Sequence, residues 1–197
     1  MAVNSMNDTS VLIVAGGTGG HISPGIALYE AFREAGIRTL FLSGKRDARF
    51  SSLNDIAADD LRLYRAPSFS KNPGKLLLFP FLFGAAILSV RKIVKKNNVR
   101  AVIGMGGYVS APALMAAKLL KVSLFVCEQN SVPGKVTRFF EKHAVRVFGT
   151  FRGAAEYLKF KDKYLLAGNP IRKMVLVDAK KEEARKERLA SMEVGQV

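Results

Sequence analysis

A chain of 197 residues, 49% of them hydrophobic, can bury one α/β core, or one domain and the start of a second, and is too apolar to be a disordered tail. Its single cysteine, Cys127, excludes a disulfide framework and a cysteine-rich zinc site, and its two histidines disfavour a histidine-built metal centre. We therefore do not expect a metal site.

The charge is strongly positive and unevenly distributed. The net charge is +15, and the stretch between Leu61 and Cys127 contains eleven Lys or Arg and no Asp or Glu. Such a field suits nucleic acid, anionic lipid headgroups or a polyanionic small substrate, and a generally basic solvated surface is the alternative. The first ten residues, MAVNSMNDTS, carry no basic cluster before an apolar run and do not form a secretory signal, so we expect a cytosolic location.

The first predicted elements are a strand, a glycine loop and a helix. Val11–Ala15 is an apolar run typical of a buried strand, and the glycines that follow let the backbone turn sharply and approach a ligand closely. We predict that Ser23 is the N-cap and Pro24 the first residue of the helix, which would direct free N–H groups and the positive end of the helix dipole at the loop. This arrangement predicts an anion site, most often one for phosphate.

The chain then alternates between strands and helices. We predict a second strand over Arg38–Leu42, a short helix over Asp47–Ala57 and a third strand over Leu61–Arg65. This order predicts the α/β class, with a doubly wound, Rossmann-like parallel sheet and right-handed crossovers. Ligands of this class bind beyond the carboxyl ends of the strands, where the glycine loop lies.

Leu76–Val90 is a run of fifteen uncharged residues with basic residues on both sides. A spanning helix needs about 20 apolar residues, and we expect Pro80 and Gly84 to interrupt this one, so it is too short and too broken to cross a bilayer. Its phenylalanines, its leucines and the flanking cations favour a segment that lies in the membrane interface. The alternative is an ordinary buried helix of the core.

A second strand–glycine–helix unit follows the apolar run. Ala101–Gly104 is a predicted strand, and Met105–Pro112 repeats the paired glycines, the serine and the proline of the first unit, before a helix that ends near Leu120. If both strands lie near the middle of the sheet, the two loops face each other. A ligand with two phosphates could then be held between two helix N-termini.

The remaining elements complete the sheet. A fifth strand, Val122–Val126, precedes a polar cluster, Cys127–Asn130. The further predicted elements are a helix over Gly134–Lys142, a strand over Val145–Phe148, a helix over Arg152–Tyr157, a strand over Tyr164–Ala167 and, after Gly168–Pro170, a charged helix over Ala179–Ala190 that we interpret as a linker or an outer helix.

The common nucleotide-binding motifs do not fit the first loop. The dinucleotide fingerprint requires G-x-G-x-x-G, but Ile22 stands where the third glycine belongs. The P-loop requires a lysine after its last glycine, and none follows Gly20 or Gly25. His21 and His143 lie far from any nucleophile elbow, which argues against Ser-His-Asp chemistry.

Four segments together resemble the N-terminal half of the MurG family of peptidoglycan glycosyltransferases, in the family's order and spacing. They are AGGTGGHISPGIA (Ala15–Ala27), GMGGYVSAPA (Gly104–Ala113), EQN (Glu128–Asn130) and AGNPIR (Ala167–Arg172). The resemblance implies the GT-B fold of two Rossmann-like domains, of which the first binds a lipid acceptor at the membrane and the second binds UDP-N-acetylglucosamine. It implies that residues 1–168 are the acceptor domain and residues 169–197 the linker to a missing donor domain.

The resemblance also implies a reaction. It is the inverting transfer of N-acetylglucosamine from UDP-N-acetylglucosamine to the 4-hydroxyl of undecaprenyl-diphosphate-linked N-acetylmuramyl-pentapeptide, without a metal or a cofactor. This reaction converts lipid I to lipid II at the cytoplasmic face of the cell membrane. The implied partners are the UDP-sugar, lipid I, an anionic membrane surface and a donor domain, which a truncated chain lacks or a separate subunit supplies. Without that domain, the chain should be inactive alone. Nucleic acid is not an expected partner, because the apolar run lies within the acid-free stretch.

The matched motifs imply the site residues. His21 matches the family's loop histidine, a candidate catalytic base for the acceptor hydroxyl, or else a helix cap that contacts phosphate. Thr18, Asn130 and Arg172 match contacts to the donor, and Cys127 stands where the family usually has histidine. The residues implied to bind the acceptor diphosphate are Gly16, Gly17, Thr18, Gly19, Gly20, Gly106, Gly107 and Tyr108. The implied membrane patch comprises Leu76, Leu77, Phe79, Phe81, Leu82 and Phe83.

Overall fold

In the computed structural model, seven strands and four helices occupy the part of the chain that is described, residues 9–68 and 73–175. The strands are β1 (Ser10–Val14), β2 (Thr39–Gly44), β3 (Leu61–Tyr64), β4 (Val99–Gly104), β5 (Ser123–Glu128), β6 (Arg146–Gly149) and β7 (Tyr164–Leu166). The helices are α1 (Gly19–Glu34), α2 (Pro73–Lys96), α3 (Gly107–Leu119) and α4 (Lys135–Phe140). Short 3₁₀ segments cover Lys45–Arg49, Ser51–Asp55, Arg152–Tyr157 and Lys161–Lys163. The charged helix predicted over 179–190 lies outside the described residues.

The strands form one sheet in the order β3-β2-β1-β4-β5-β6-β7, and every neighbouring pair is parallel. This confirms the doubly wound fold that the alternation of strands and helices predicts. The chain moves outward from β1 to β3 and then crosses back to place β4 beside β1, so the strand order reverses between these two. The two glycine loops leave the carboxyl ends of β1 and β4. They therefore lie side by side at the switch point, where ligands bind in this fold class.

Apolar layers cover both faces of the sheet. β1 contributes Leu12 and Val14 to one layer and Ile13 to the other, because neighbouring side chains of a strand point to opposite faces. Helices α2, α3 and α4 pack on the first face, and α1 packs on the second with the 3₁₀ segment Ser51–Asp55. Burial on both faces explains why the central strands are continuously apolar instead of alternating.

The region after β2 differs from the prediction. The sequence predicts one helix over Asp47–Ala57, but the structure has two 3₁₀ turns, Lys45–Arg49 and Ser51–Asp55. The Asp47 carboxylate accepts a hydrogen bond from the Gly44 N–H at 3.1 Å, which ties the first turn to the end of β2. The helix prediction was wrong because Phe50, between the two turns, has an extended backbone (φ −81°, ψ 111°), which ends the first turn before a helix can continue. Arg152–Tyr157 is likewise 3₁₀ and not α-helical.

Helix α2 is continuous over 24 residues, so the predicted interruption at Pro80 and Gly84 is wrong. Pro80 and Leu76 are both exposed, so water can bond the Leu76 carbonyl that the missing proline N–H leaves free. The C-terminal half of α2 is held against the sheet and α3 by the buried side chains of Ala86, Val90 and Val94. Among the described residues, α2 is also the one helix with the length and composition of a membrane span.

Candidate active site

Helix α1 begins inside the first glycine loop and not after it. Its N-cap is Thr18 and its first residue is Gly19, so the predicted start at Ser23 and Pro24 is wrong. Pro24 is the sixth residue of the helix, and its missing N–H costs one helical bond, to the carbonyl of the exposed Gly20. The first N–H groups of a helix have no partner within it. The glycine backbone therefore presents free donors and the positive helix end within the loop itself.

Helix α3 begins in the same way. Its N-cap, Gly106, has φ of 84° and Gly107 has φ of 69°, a conformation that glycine adopts without strain. Pro112 is the sixth residue of α3, as Pro24 is of α1. The repeat of strand, glycines, proline and helix seen in the sequence is thus a structural repeat, and it places two helix N-termini on adjacent central strands.

The His21 side chain lies between the two loops. Its Nδ1 is 2.9 Å from the Thr18 hydroxyl, and a Cβ placed on Gly106 would be 3.1 Å from its Nε2. A Cβ on Gly107 would be 3.3 Å from the ring, so both glycines allow the imidazole to pack closely. Gln129 Oε1 lies 3.6 Å from the Cβ position on Gly106. Within the described residues, this oxygen is buried without a hydrogen-bond partner.

Burial determines the charge state of His21. Burial lowers the pKa of His21 below its ordinary 6.5, against a smaller opposing effect of the Glu128 carboxylate. The imidazole is therefore neutral at pH 7. In the tautomer that carries its proton on Nδ1, Nδ1–H donates to the Thr18 hydroxyl and Nε2 has a free lone pair. A general base requires such a lone pair.

Glu128, at the end of β5, organises the loop that follows. It is 3% exposed, and its Oε1 accepts hydrogen bonds from the N–H and the side-chain amide of Asn130, at 3.0 and 2.8 Å. Its Oε2 accepts from the Gly134 N–H at 2.9 Å and from the Thr137 hydroxyl at 2.5 Å. These four bonds hold Asn130 at the carboxyl end of β5, beside the loop that follows β4.

A buried carboxylate that sequence analysis missed lies beneath the first glycine loop. Asp47 is 2% exposed, its Oδ1 accepts from the Gly17 N–H at 3.0 Å, and its Oδ2 accepts from the Ser43 hydroxyl at 3.2 Å. A Cβ on Gly16 would be 2.2 Å from Oδ2, so this position requires glycine. The available signal was the spacing from Gly44 to Asp47, which matches a helix N-cap and the acid of a capping box. Because the Gly17 N–H is bonded to Asp47, it is not free to bind phosphate.

Replacing Asp47 with alanine is expected to lower the free energy of unfolding by about 2 to 3 kcal/mol, because buried N–H groups of Gly17 and Gly44 lose their acceptor. Urea denaturation followed by circular dichroism measures the change. Asp162→Ala is the matched control, since Asp162 is exposed at the other end of the sheet order. Equal stability of the two variants would contradict the role given to Asp47.

Tyr108 joins the two loops. It is the second residue of α3, and its ring packs over the first loop, where Cε1 would be 3.2 Å from a Cβ on Gly17. The structure thus brings all the predicted loop residues to the two helix starts around His21. They are Gly16, Gly17, Thr18, Gly19, Gly20, Gly106, Gly107 and Tyr108.

Arg172 is not brought to the glycine loops. Its side chain is 12% exposed and forms ion pairs with Glu30 at 3.3 Å and Asp55 at 2.7 Å. Glu30 is nine residues after His21, which is about 14 Å further along α1. In this structure Arg172 therefore ties the segment after β7 to α1 and to the Ser51–Asp55 turn.

Cys127 precedes Glu128 and is 8% exposed. Burial raises the pKa of its thiol to about 12, so the thiol stays protonated and packs as a small core side chain. Within residues 9–68 and 73–175, no group of three or more His, Cys, Asp or Glu side chains is placed to hold a metal ion.

The six residues of the predicted membrane patch lie in the N-terminal half of α2. Leu77 and Phe81 are 78% and 73% exposed, and Leu76 and Leu82 are also exposed. Phe79 and Phe83 are partly buried and stack on each other, with ring centroids 5.6 Å apart. One end of α2 therefore packs in the core while the other presents large apolar side chains to the surroundings.

Comparison with known proteins gives a family and a set of relatives. The family model described as the glycosyltransferase family 28 N-terminal domain matches residues 11–149. Relatives named UDP-N-acetylglucosamine–N-acetylmuramyl-(pentapeptide) pyrophosphoryl-undecaprenol N-acetylglucosamine transferase include those of Leptospira interrogans and Geobacter sulfurreducens. The Leptospira protein is 34% identical over 171 residues, covering 85% of this chain and 46% of the relative. The Geobacter protein is 37% identical over 188 residues, covering 89% and 48%. The chain thus spans about half the length of the curated relatives it matches.

Solved structures give the same picture of the fold. The crystal structure of Acinetobacter baumannii MurG is 26% identical, with a TM-score of 0.63 over 83% of this chain and 45% of that chain. UDP-GlcNAc 2-epimerase from Neisseria meningitidis, solved bound to UDP-GlcNAc, is 16% identical, with a TM-score of 0.60 over 81% of this chain and 46% of that chain. At that identity, the epimerase shows similarity of fold alone.

Proposed function

The chain belongs to glycosyltransferase family 28, whose N-terminal domain it contains, and on this premise we propose that it is the acceptor-binding half of a peptidoglycan N-acetylglucosaminyltransferase. The proposed enzyme transfers N-acetylglucosamine from UDP-N-acetylglucosamine to undecaprenyl-diphosphate-linked N-acetylmuramyl-pentapeptide and so converts lipid I to lipid II. Curated relatives that carry the name of this activity match most of the chain.

The observation that carries the proposal is the position of His21. It lies between two glycine-started helices on adjacent central strands, with a lowered pKa and, in one tautomer, a free Nε2 lone pair. Free N–H donors at two helix starts suit the anionic part of a phosphorylated substrate. A neutral imidazole beside them suits proton removal from a substrate hydroxyl.

The chemistry of the proposed step needs one base. The 4-hydroxyl oxygen of the N-acetylmuramyl sugar attacks C1 of N-acetylglucosamine, and a C–O bond forms while the bond from C1 to the UDP oxygen breaks. UDP leaves with the bonding electrons, the configuration at C1 inverts, and the hydroxyl proton passes to Nε2 of His21. Neutral His21 can take this proton because burial keeps its pKa below 6.5.

The donor contacts in this proposal come from two sources. Thr18 and Asn130 contact sugar hydroxyls of the donor across the cleft, and both side chains are exposed at the carboxyl edge of the sheet. The contact predicted from Arg172 to the nucleotide diphosphate requires its guanidinium to leave Glu30 and Asp55, so we leave Arg172 out of the proposed site. The proposal assigns the main donor contacts to the half of the relatives' length that these 197 residues do not cover, supplied by a continuation of the same protein or by a separate subunit that this acceptor-binding half recruits.

A chimera tests the proposed activity. The 197 residues alone are expected to form no lipid II from lipid I and radiolabelled UDP-N-acetylglucosamine, because they cover only about half the length of the curated relatives. Joined after residue 168 to the C-terminal half of the Geobacter sulfurreducens relative, it is expected to form lipid II. A folded chimera that binds both substrates and makes no lipid II would overturn the proposal.

The apolar end of α2 supports a peripheral location at the cytoplasmic face of the cell membrane. Its exposed Leu77 and Phe81 can insert among acyl chains. Lys92, Lys95 and Lys96 lie on the same helix and can attract an anionic surface.

The double variant Leu77→Gln, Phe81→Gln is expected to bind phosphatidylglycerol-containing vesicles at least about tenfold more weakly, since burial of one such side chain contributes about 1.5 to 3 kcal/mol. Vesicle co-sedimentation measures the partition. Leu119→Gln, Val145→Gln is the matched control. Both residues are exposed, and they lie at the amino ends of the strands, away from the N-terminal half of α2. Equal partition of the two double variants would exclude this membrane patch.

A further inference from the structure

Two neighbouring clefts lie beside the glycine loops, on the side of β2 and β3. The first has a volume of about 430 Å³ and lies between Tyr108 and the cations Lys45, Arg46 and Arg65. The second, of about 590 Å³, runs along the N-terminal half of α2. Arg46 and Arg65 line both clefts, so the two form one continuous groove that starts next to Tyr108.

The end of the groove near Tyr108 is cationic. No carboxylate of the described residues lines either cleft, whereas Lys45, Arg46 and Arg65 all do. The Arg46 guanidinium donates a hydrogen bond to the Ser68 hydroxyl at 3.3 Å, which leaves its other N–H groups available. Lys45 and Arg65 are exposed. Three cations without a lining carboxylate favour an anion with more than one negative charge.

The other end of the groove is apolar. Its wall on α2 is formed by Leu78, Phe79, Leu82 and Ala85, and it continues into the exposed face of this helix. A volume of about 590 Å³ lies within the range of small-molecule sites. The groove thus joins a binding place for an anion to one for a hydrocarbon chain.

The first glycine loop is poorly suited to hold a diphosphate by itself. The Gly17 N–H is bonded to Asp47, whose buried carboxylate lies under the loop and repels an anion placed on Gly16 and Gly17. The cations of the groove lie on the other side of Tyr108, whose ring covers Gly17. Asp47 is buried and does not line either cleft, so an anion held there meets the three cations directly and stays next to the α3 start.

We propose that this groove seats the lipid-diphosphate part of the acceptor, with the diphosphate against Lys45, Arg46 and Arg65 and the first isoprenoid units along Leu78, Phe79 and Leu82. This proposal rests on the function proposed above. It assigns the diphosphate to side chains outside the glycine loops and directs the sugar end of the acceptor past Tyr108 toward His21. It also makes the lipid chain a recognised part of the substrate.

Farnesyl diphosphate is the probe, because it carries a diphosphate and three isoprenoid units in soluble form. Binding to the full chain is measured by equilibrium dialysis, beside inorganic pyrophosphate and farnesol. We expect Arg46→Gln, Arg65→Gln to weaken farnesyl diphosphate binding at least about tenfold, as expected for lost charge-assisted hydrogen bonds. We expect Ala85→Leu, which fills the apolar wall at an exposed position, to weaken farnesyl diphosphate and not pyrophosphate.

Two control variants match these substitutions. Arg100→Gln removes an exposed cation at the amino end of β4, and Leu88→Gln removes an exposed leucine of α2 that does not line the groove. Both are expected to bind farnesyl diphosphate like the unmodified chain. Binding that is weakened equally by Arg100→Gln, or that is unchanged in Arg46→Gln, Arg65→Gln, would overturn the groove.

Lipid I binding in detergent micelles separates the two levels of inference. If the unmodified chain and the Arg46→Gln, Arg65→Gln variant bind lipid I equally well, the proposed function stands and the proposed groove is contradicted. If the unmodified chain does not bind lipid I, both the proposed function and the proposed groove are contradicted. Weakened binding of lipid I and farnesyl diphosphate in the same variants supports both.

Discussion

Replacing His21 with alanine is expected to lower the rate of lipid II formation by the chimera about 10²- to 10⁴-fold, the usual contribution of a general base. The loss is expected in kcat, because the proton moves only in the transition state of transfer. The fold should survive, since His21 is partly exposed and its side-chain hydrogen bond is to the exposed Thr18. His143→Ala is the matched control and is expected to keep full activity, because His143 follows α4 and is remote from both glycine loops.

The pH profile gives this prediction a second readout. Because the pKa of His21 is lowered by burial, the neutral base form persists below pH 6.5, and kcat/KM should fall only as the pH drops through that lower pKa. The His21→Ala chimera should lose this acidic limb. Activity within tenfold of the parent, or an acidic limb that stays unchanged, would show that His21 positions phosphate and is not the base.

Replacing Glu128 with alanine is expected to lower the free energy of unfolding by about 3 to 5 kcal/mol, as for the loss of a buried hydrogen-bond network. The backbone N–H groups of Asn130 and Gly134 and the Thr137 hydroxyl would lose their acceptor at a site that is 3% exposed. Urea denaturation of the purified chain measures the change. Activity of the matching chimera should also fall, because Asn130 loses its fixed position.

The control for Glu128 is Glu156→Ala. Glu156 forms a surface ion pair with Lys161, and its side chain is 73% exposed, so its removal should cost at most about 1 kcal/mol. Glu128→Gln is expected to lie between the two, because the amide keeps one acceptor oxygen. A Glu128→Ala chain as stable as Glu156→Ala would show that the loop does not depend on this carboxylate.

The order of strands and helices was predictable from the sequence, because continuous apolar runs such as Val11–Ala15 alternate with helical segments. The neighbouring glycine loops also followed from the repeat of strand, glycines and proline. The starts of α1 and α3 did not follow. Proline is favoured at the first helical position, but in α1 Pro24 occupies the sixth. The hydrogen bond that its missing N–H costs is tolerated because the Gly20 carbonyl is exposed to water.

The residues that hold and flank the glycine loops were harder to predict than the loops themselves. Asp47 and Gly17 are 30 residues apart, and nothing local in the sequence shows that their atoms meet at 3.0 Å. By composition the N-terminal half of α2 is the more apolar one, yet it is exposed, whereas the C-terminal half carries four cations and packs Val90 and Val94 on the sheet face. The basic groove depends on Arg46 and Arg65, which come from segments on either side of β3 and meet only in the fold.

The central claim is that this domain binds the lipid-linked acceptor and leaves the main donor contacts to another domain. It is tested most directly by equilibrium binding of the purified chain to lipid I in detergent micelles, with UDP-N-acetylglucosamine measured in parallel. We predict saturable binding of lipid I and little binding of the UDP-sugar by the chain alone. Saturable binding of UDP-N-acetylglucosamine without binding of lipid I would contradict the claim.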